Sequence, residues 1–567
     1  MSLELSRLFI ALGIAALGFA CGPRPKPQPP PAPPSASSRA LAPAPPPAPP
    51  ATDAPPLVAL ADDAEAARAA AEILSEGGSA ADAAVAALLV AGVTAPASSG
   101  LGGGGLALVW DGETRRARVL DFLPRAPAVL RPERLDRAGG AAIGVPGEAA
   151  GLAALHAWGG RRAFAELVRP ALRRAEEGFA LSPHMHRALR WREPWLRSSP
   201  LAAAFAPLGR LASRGEPVTR PALARRLKQL AAEGPASFYA DGASLVDAAR
   251  AAGSLVAPSD LASYRVEERE PWTLDWEGHQ VIAPPPPSSG ALTLHQTLLM
   301  HDAASLKALR ESSEGAYLHV LAEGFRASAM DRHRRLGDPS LVTVDREALL
   351  DPDRLRARRA RISADRTRAL ASWSSRESGT SNVIVQDAEG DVVIVTTSLN
   401  DLFGARVTSD DGVVLNDHLT TFATARDERR LGPSKNRAQP GARPVTSMSP
   451  TLVVVDGEPV LATCASGGEQ MATAVSQAVL GRLVFGKDAK TLVSEPRVHA
   501  PSAGGLRLDA WAPEALRRDL EGRGEVVDSS RPLYGALLVV TWPTSRDRRG
   551  AVDVSTDPRK GGEGHAR

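Results

Sequence analysis

The chain has 567 residues and a formal net charge of +3 at pH 7, with 44% hydrophobic and 23% charged residues. This composition is ordinary for a soluble globular protein, and the charge is too small to indicate a nucleic-acid-binding protein. Cys21 and Cys464 are the only cysteines, which excludes a fold that depends on a disulfide framework.

The first 56 residues predict export followed by a spacer. Thirteen apolar or small residues, Leu8 to Ala20, are too few to span a bilayer but match the core of a signal peptide over residues 1–21. The sequence "LGFAC" resembles a bacterial lipoprotein box with Cys21 as the lipidated residue, and ordinary signal cleavage is the alternative. Residues 22–56 contain sixteen prolines, which favours an extended, disordered spacer. We therefore expect a periplasmic or cell-surface protein, held to a bacterial membrane only by a lipid anchor.

Folded sequence begins near Leu57 with two predicted helices. The first ends at Gly77-Gly78, and the second begins with Ser79 as N-cap and Asp82 three residues later. Helical patterns then dominate from about 145 to 380.

After residue 380 the apolar periodicity changes to two. This pattern predicts one hairpin turned at 387–390 and another turned at Asp456-Gly457. The segment after about residue 555 is predicted to be a disordered tail.

Two motifs resemble cofactor sites but lack the required context. Gly100-x-Gly102-x-x-Gly105 has the spacing of a dinucleotide fingerprint, yet an apolar strand follows it instead of a helix. His184 and His186 have no carboxylate or further histidine at metal-ligand spacing. We expect no metal and no cofactor, and a four-glycine run that lets backbone segments approach closely.

Thr380 stands directly after Gly379, at the mouth of a regular strand. A threonine hydroxyl is a poor nucleophile unless a base takes its proton. Cleavage of the Gly379–Thr380 bond would free an α-amine within reach of that hydroxyl. Such an amine has an ordinary pKa of about 7.7–8.0 and can act as the base.

At this point the chain resembles a known family. From about Leu57 to Leu508 it resembles the gamma-glutamyltranspeptidases (glutathione hydrolases), which are N-terminal-nucleophile hydrolases. The matching blocks include "GLGGGG", "GVPGEAAGL", "PPPSSG", "GTSNVIVQDAEGDVVIVTTSLN", "RPVTSMSPTLVV" and "SGGEQ", in the family's order.

The resemblance implies an α/β (α+β) fold, a four-layer αββα sandwich cleaved between Gly379 and Thr380. The large subunit, 57–379, and the small subunit, 380–567, come from one precursor and stay associated. It implies that Thr380 attacks a γ-glutamyl amide and that water or an amino acid releases the acyl group. It further implies that Ser398 supports the nucleophile by a hydrogen bond and that Gly467 and Gly468 form the oxyanion hole.

The substrate pocket implied by the resemblance is altered at both ends. Asn400, Thr446 and Ser447 match its polar lining. Leu123 stands where the family has an arginine for the substrate carboxylate, and Arg125 is a candidate replacement because a shift of two keeps a side chain on the same face of a strand. His418 and Thr421 replace the residues that hold the substrate amine, which leaves Asp417 to supply negative charge.

These residues predict an autoprocessing gamma-glutamyltransferase or glutathione hydrolase with weak activity on ordinary γ-glutamyl substrates. Two alternatives remain. One is a catalytically silent surface lipoprotein that binds a ligand, and the other is an acylase for non-glutamyl amides.

Overall fold

The computed structural model describes residues 55–135, 139–368, 379–500, 505–530, 535–543 and 551–567. The predicted signal peptide, Cys21 and all but the last two residues of the predicted spacer lie outside these ranges. No helix in the described ranges is long and apolar enough to cross a membrane.

The described residues form eighteen strands and twenty α-helices. The strands are β1 Val58–Ala61, β2 Gly104–Asp111, β3 Arg116–Asp121, β4 Phe179–Ala180, β5 Pro217–Val218, β6 Glu267–Arg269, β7 Trp272–Trp276, β8 His279–Ala283, β9 Gly379–Gln386, β10 Val392–Asn400, β11 Thr451–Val455, β12 Glu458–Ser466, β13 Val498–His499, β14 Leu506–Leu508, β15 Val527–Asp528, β16 Ala536–Thr541, β17 Asp553–Thr556 and β18 Glu563–Ala566. The helices are α1 Ala64–Ser75, α2 Ala80–Thr94, α3 Glu148–Gly159, α4 Phe164–Glu177, α5 Pro183–Trp191, α6 Glu193–Leu196, α7 Ala202–Phe205, α8 Pro221–Glu233, α9 Ser237–Ala240, α10 Ala243–Ala251, α11 Pro258–Ala262, α12 Gly290–Met300, α13 Ala303–Ser312, α14 Glu314–Arg335, α15 Arg346–Leu349, α16 Pro352–Ala360, α17 Ala425–Leu431, α18 Gln470–Phe485, α19 Ala489–Ser494 and α20 Glu514–Gly522.

Two sheets form the centre of the fold. The first has the strand order β18-β1-β9-β10-β2-β3-β6, and the second has the order β17-β16-β12-β11-β8-β7. Helices α1, α2 and α3 contact the first sheet, α12 and α18 contact the second, and β12 contacts β9 and β10 between the sheets. This is the predicted four-layer αββα arrangement.

The central strands are buried on both faces, which explains their long apolar runs. In β9, Val383 and Val385 pack into the core beneath the helices of the first layer. Ile384 faces the opposite way, into the core shared with the second sheet. Alternation of side chains therefore assigns the successive apolar residues of β9 to one core and then the other.

Local sequence signals for α2 and both hairpins are confirmed. Ser79 and Asp82 form the expected capping box at the start of α2. β9 and β10 pair as a hairpin, as do β11 and β12.

The prediction of a disordered tail after about residue 555 is wrong. β17 pairs with β16, and β18 pairs with β1 at the edge of the first sheet. The segment gains backbone partners from the preceding strand β16 and from β1, which is far away in the sequence.

Candidate active site

Thr380 lies at the beginning of β9, where the first sheet faces the second. Its side chain is buried, with Oγ1 3.8 Å from the Sδ atom of Met471 in the first turn of α18. The carbonyl oxygen of Gly379 accepts a hydrogen bond from Ser398 Oγ, which itself accepts one from the backbone N–H of Asn400 at 2.7 Å. Ser398 was expected to contact the Thr380 hydroxyl. Here it holds the carbonyl that precedes Thr380 instead.

Gly467 and Gly468 connect the end of β12 to the start of α18. Their φ angles are 122° and 65°, in the region that favours glycine. Ser466, directly before them, places its Oγ 3.1 Å from the carbonyl oxygen of Thr380. The glycine pair therefore lies beside Thr380 at the N-terminus of a sixteen-residue helix, a place suited to a developing negative charge.

A buried ion pair supports the backbone of Thr380. Lys560, between β17 and β18, donates from Nζ to the Thr380 carbonyl and to Asp62 Oδ2, the latter at 2.8 Å. Asp62 Oδ2 also accepts from Ser466 Oγ at 2.7 Å and from Asn382 Nδ2 at 3.0 Å. The cluster joins β1, β9, β12 and the last residues of the chain around one carbonyl group.

The roles of Lys560 and Asp62 were not predicted from the sequence. Asp62 precedes a helix and resembles part of an N-cap, whereas Lys560 lies in the segment that was predicted to be a disordered tail. The available signal was "DPRKGG", a charged and turn-forming sequence after a short apolar run.

The segment expected to hold the substrate amine is largely neutral. His418 donates from Nε2 to the carbonyl of Ser398 at 3.1 Å, and burial lowers the pKa of His418 to about 4. Thr421 uses its hydroxyl locally, donating to the carbonyl of His418 at 2.7 Å. Burial also raises the pKa of Asp417 to about 7, so its negative charge is only partly developed at neutral pH.

Asn400 links this segment to the end of β10. Its φ angle of 81° is unusual for a non-glycine residue, and such backbone conformations cluster at functional sites. Nδ2 of Asn400 donates to Asp417 Oδ1 at 3.1 Å and to Thr420 Oγ1 at 3.0 Å. These bonds fix Asn400 and Asp417 relative to each other.

Thr446 and Ser447 are buried beside the turn that precedes α12. The carbonyl of Thr446 accepts from Ser289 N at 2.8 Å, and Thr446 N donates to the carbonyl of Pro287 at 3.0 Å. The matching "PPPSSG" and "RPVTSMSP" blocks are therefore packed directly against each other.

The prediction that Leu123 and Arg125 share one face of a strand is wrong. β3 ends at Asp121, so Leu123 and Arg125 lie in the following loop and strand alternation does not relate them. The guanidinium of Arg125 donates to Ser263 Oγ at 2.6 Å and lies over the ring of Tyr264, 5.5 Å from its centroid. Leu123 is buried.

Within the described residues, no three His, Cys, Asp or Glu side chains are placed to hold a metal ion. Cys464 is a free, buried cysteine on β12, and burial raises its pKa above the ordinary value. The groups that the structure places around the Thr380 backbone include the Ser398 and Ser466 hydroxyls and the Lys560–Asp62 pair.

Comparison with known proteins agrees with this geometry. The family model for gamma-glutamyltranspeptidase matches residues 66–566. The chain is 32% identical to a glutathione hydrolase proenzyme of Bacillus subtilis (strain 168) over 81% of this chain and 83% of that protein. It is 31% identical to the acylase ACY 1 proenzyme of Pseudomonas sp. (strain V22), over 86% and 90% of the two chains.

A similar fold occurs in the crystal structure of cephalosporin acylase from Bacillus halodurans. The TM-score is 0.78, with 93% of this chain and 99% of that chain covered, at 24% identity. At this identity the likeness concerns the fold alone. Together with the family match over most of the sequence, it shows that the chain belongs to the gamma-glutamyltranspeptidase family of N-terminal-nucleophile hydrolases.

Proposed function

We propose that this protein cuts its own Gly379–Thr380 bond and then hydrolyses or transfers the acyl group of γ-glutamyl or related amides through an acyl-enzyme on Thr380. The observation that carries the proposal is the hydrogen bond from Ser398 to the carbonyl of Gly379, the residue directly before Thr380. A hydroxyl that donates to a carbonyl oxygen polarises it and makes its carbon a better electrophile.

In the self-cleavage step, Thr380 Oγ attacks the Gly379 carbonyl carbon, and the amide nitrogen leaves with a proton. Water then hydrolyses the resulting ester, which frees the Thr380 hydroxyl and its α-amine. In the substrate reaction this amine takes the hydroxyl proton, and Gly467 and Gly468 stabilise the oxyanion.

We assign the acyl group to an acyl pocket at Asn400, Thr446 and Ser447, the polar residues that the family resemblance places at the substrate. In this orientation the carboxylate of an amino-acid acyl group faces Leu123, which is buried. Its amine faces His418, which is neutral, and Asp417, which is only partly ionised. Binding of an amino-acid acyl group is therefore weakened, because a charged group without its buried partner costs several kcal/mol.

The same observations favour a second candidate, an acylase for neutral acyl amides. Leu123 and His418 provide an apolar and an uncharged wall where a charged clamp is absent, and an acylase proenzyme is among the relatives. Export and lipid anchoring through Cys21 remain part of the proposal on sequence grounds.

Activity can be tested on purified protein with matched amides of one chromogenic amine. We expect a burst of free amine followed by slow turnover, and a trapped acyl group on Thr380 by mass spectrometry. Faster turnover of neutral acyl amides than of γ-glutamyl amides would favour the acylase. Absence of both the acyl adduct and turnover would contradict the proposal.

A further inference from the structure

A cleft lies between α14 and α16, two helices that both pack on α12. Its volume is about 490 Å³, within the range of roughly 300–1,000 Å³ found for small-molecule sites. None of the residues assigned above to the surroundings of Thr380 or to the acyl pocket belongs to its lining. Six arginines line this arginine cleft, namely Arg334, Arg335, Arg354, Arg358, Arg361 and Arg368.

Positive charge exceeds negative charge in the arginine cleft. The lining includes two carboxylates, those of Asp331 and Glu323. Asp331 Oδ2 accepts from Arg354 Nη1 at 3.1 Å and from Arg358 Nη1 at 2.9 Å, so one carboxylate serves two arginines. Glu323 is paired with Arg326, which lies outside the lining. A cleft lined by charge of one sign focuses its field and attracts a ligand of the opposite sign.

The other four arginines of the cleft have donors available to a ligand. Arg335 is 46% exposed, and its contact with Asp331 is long, at 3.8 Å. Arg361 is exposed directly after α16. Arg334 and Arg368 each donate to a backbone carbonyl at 3.2 Å, a neutral group that leaves their charge unbalanced. Cations in the last turns of α14 and α16 also favour the helix dipoles, but that role does not require them to converge on one cleft.

Glu323 adds a hydrogen-bond acceptor to the wall of the cleft. It is 1% exposed, and its Oε1 accepts from Arg326 Nη1 at 2.6 Å. Its Oε2 has no hydrogen-bond partner among the described residues. A buried carboxylate oxygen without a partner is costly unless something bonds to it. A ligand with a hydroxyl donor beside an anionic group would satisfy Glu323 and the arginines together.

We propose that the arginine cleft binds a small phosphate monoester that also carries a hydroxyl group. A phosphate monoester has a charge of about −1.5 to −2 at pH 7 and three strong acceptor oxygens, more than one carboxylate offers. Arg335 and Arg361 bind the phosphate by charge-assisted hydrogen bonds, for which the planar guanidinium group is well shaped. The hydroxyl donates to Glu323 Oε2, and Ala327 and Met330 provide apolar lining for the carbon skeleton. This binding site is additional to the reaction at Thr380.

Isothermal titration calorimetry on the full protein tests the site with glycerol 3-phosphate as the probe. It compares the wild type with Arg335→Gln/Arg361→Gln and with Arg225→Gln, the change of an exposed arginine on α8 away from the lining. We expect the wild type and the Arg225→Gln control to bind the probe alike, and the double variant to bind it about tenfold more weakly. Glycerol, which lacks the phosphate, should not bind. Absence of binding by the wild type, or equal affinity in the double variant, would overturn the proposal.

Two further probes test which ligand chemistry the cleft selects. Inorganic phosphate has no alcohol hydroxyl for Glu323, so we expect it to bind more weakly than glycerol 3-phosphate, and equal binding would refute the role of Glu323. Vesicles of phosphatidylglycerol and of phosphatidylcholine test a lipid headgroup as the source of the phosphate. We expect the wild type and the double variant to cosediment equally with each. Binding to phosphatidylglycerol vesicles that the double variant loses would assign the cleft to a membrane lipid and overturn the proposal of a small ligand.

The Thr380→Ala variant separates this inference from the proposed function. We expect it to bind glycerol 3-phosphate as tightly as the wild type, and we expect the double arginine variant to retain wild-type amide turnover. A wild-type chain that stays uncut but binds the probe through Arg335 and Arg361 would refute the proposed function and retain the phosphate site. A cut, active enzyme that does not bind the probe would refute the phosphate site alone.

Discussion

Lys560 and Asp62 form the contact with the largest expected effect at the scale of single residues. Both side chains are almost fully buried, and Lys560 also holds the Thr380 carbonyl. Removing one partner of a buried pair leaves an uncompensated charge and costs about 3–5 kcal/mol. We expect Lys560→Met to lower the free energy of unfolding by this amount, measured by urea denaturation.

The double variant Asp62→Asn/Lys560→Met provides the matched control for this ion pair. It removes both charges, so we expect it to recover much of the lost stability while activity stays low. Equal stability of Lys560→Met and the wild type would show that the pair is not buried as described.

Asp417 gives a pH-dependent prediction. Its pKa is raised from 3.8 to about 7, mainly by burial, so the folded chain binds this proton more tightly than the unfolded chain. The stabilisation that the bound proton gives the fold is therefore complete at acid pH, below the ordinary pKa of 3.8. It is lost as the pH rises through about 7. Asn mimics the protonated form, and we expect Asp417→Asn to gain in Tm relative to the wild type between pH 5 and 8. The exposed Asp275→Asn variant serves as the control, and its Tm difference from the wild type should not grow with pH. A Tm difference between Asp417→Asn and the wild type that is the same at every pH would contradict the raised pKa of Asp417.

At the scale of secondary-structure elements, the four-glycine run fixes the position of β2 against β10. A methyl group on Gly103 would clash with the carbonyl oxygen of Ser398, the residue that holds the Gly379 carbonyl. We expect Gly103→Ala to destabilise the fold by about 1–3 kcal/mol and to slow self-cleavage. Denaturing gels after timed expression would show the delay.

Gly522 provides the control for this substitution, because it ends α20 and an added methyl group meets nothing within 4 Å. Gly522→Ala should leave cleavage unchanged and stability equal or slightly higher. Identical cleavage in both variants would show that the close approach of Gly103 to Ser398 is not required.

Prediction from sequence succeeded where a signal is local. The capping box of α2 spans four residues, and the hairpins show alternation and turn residues within one short segment. Lys560 and Asp62 are separated by 498 positions, and nothing near either residue indicates the other. The partners of Arg125 were missed for a related reason, since the end of β3 depends on tertiary packing rather than on strand propensity.

At the scale of the whole molecule, the proposed cut divides both sheets between two polypeptides. β9 and β10 would belong to the small fragment, yet they lie between β1 and β2 of the large fragment. The second sheet likewise joins β8 of the large fragment to β11 of the small one. We expect the fragments to elute together in gel filtration and to unfold in one transition. Separate elution under native conditions would contradict this topology.

The central claim is that Thr380 becomes an N-terminal residue by self-cleavage. N-terminal sequencing of the fragments from purified wild-type protein tests it most directly, beside the Thr380→Ala variant. We predict that one wild-type fragment begins Thr-Ser-Asn-Val and that Thr380→Ala remains a single chain. An uncut wild-type chain, a fragment that begins elsewhere, or equal cleavage in Thr380→Ala would contradict the account.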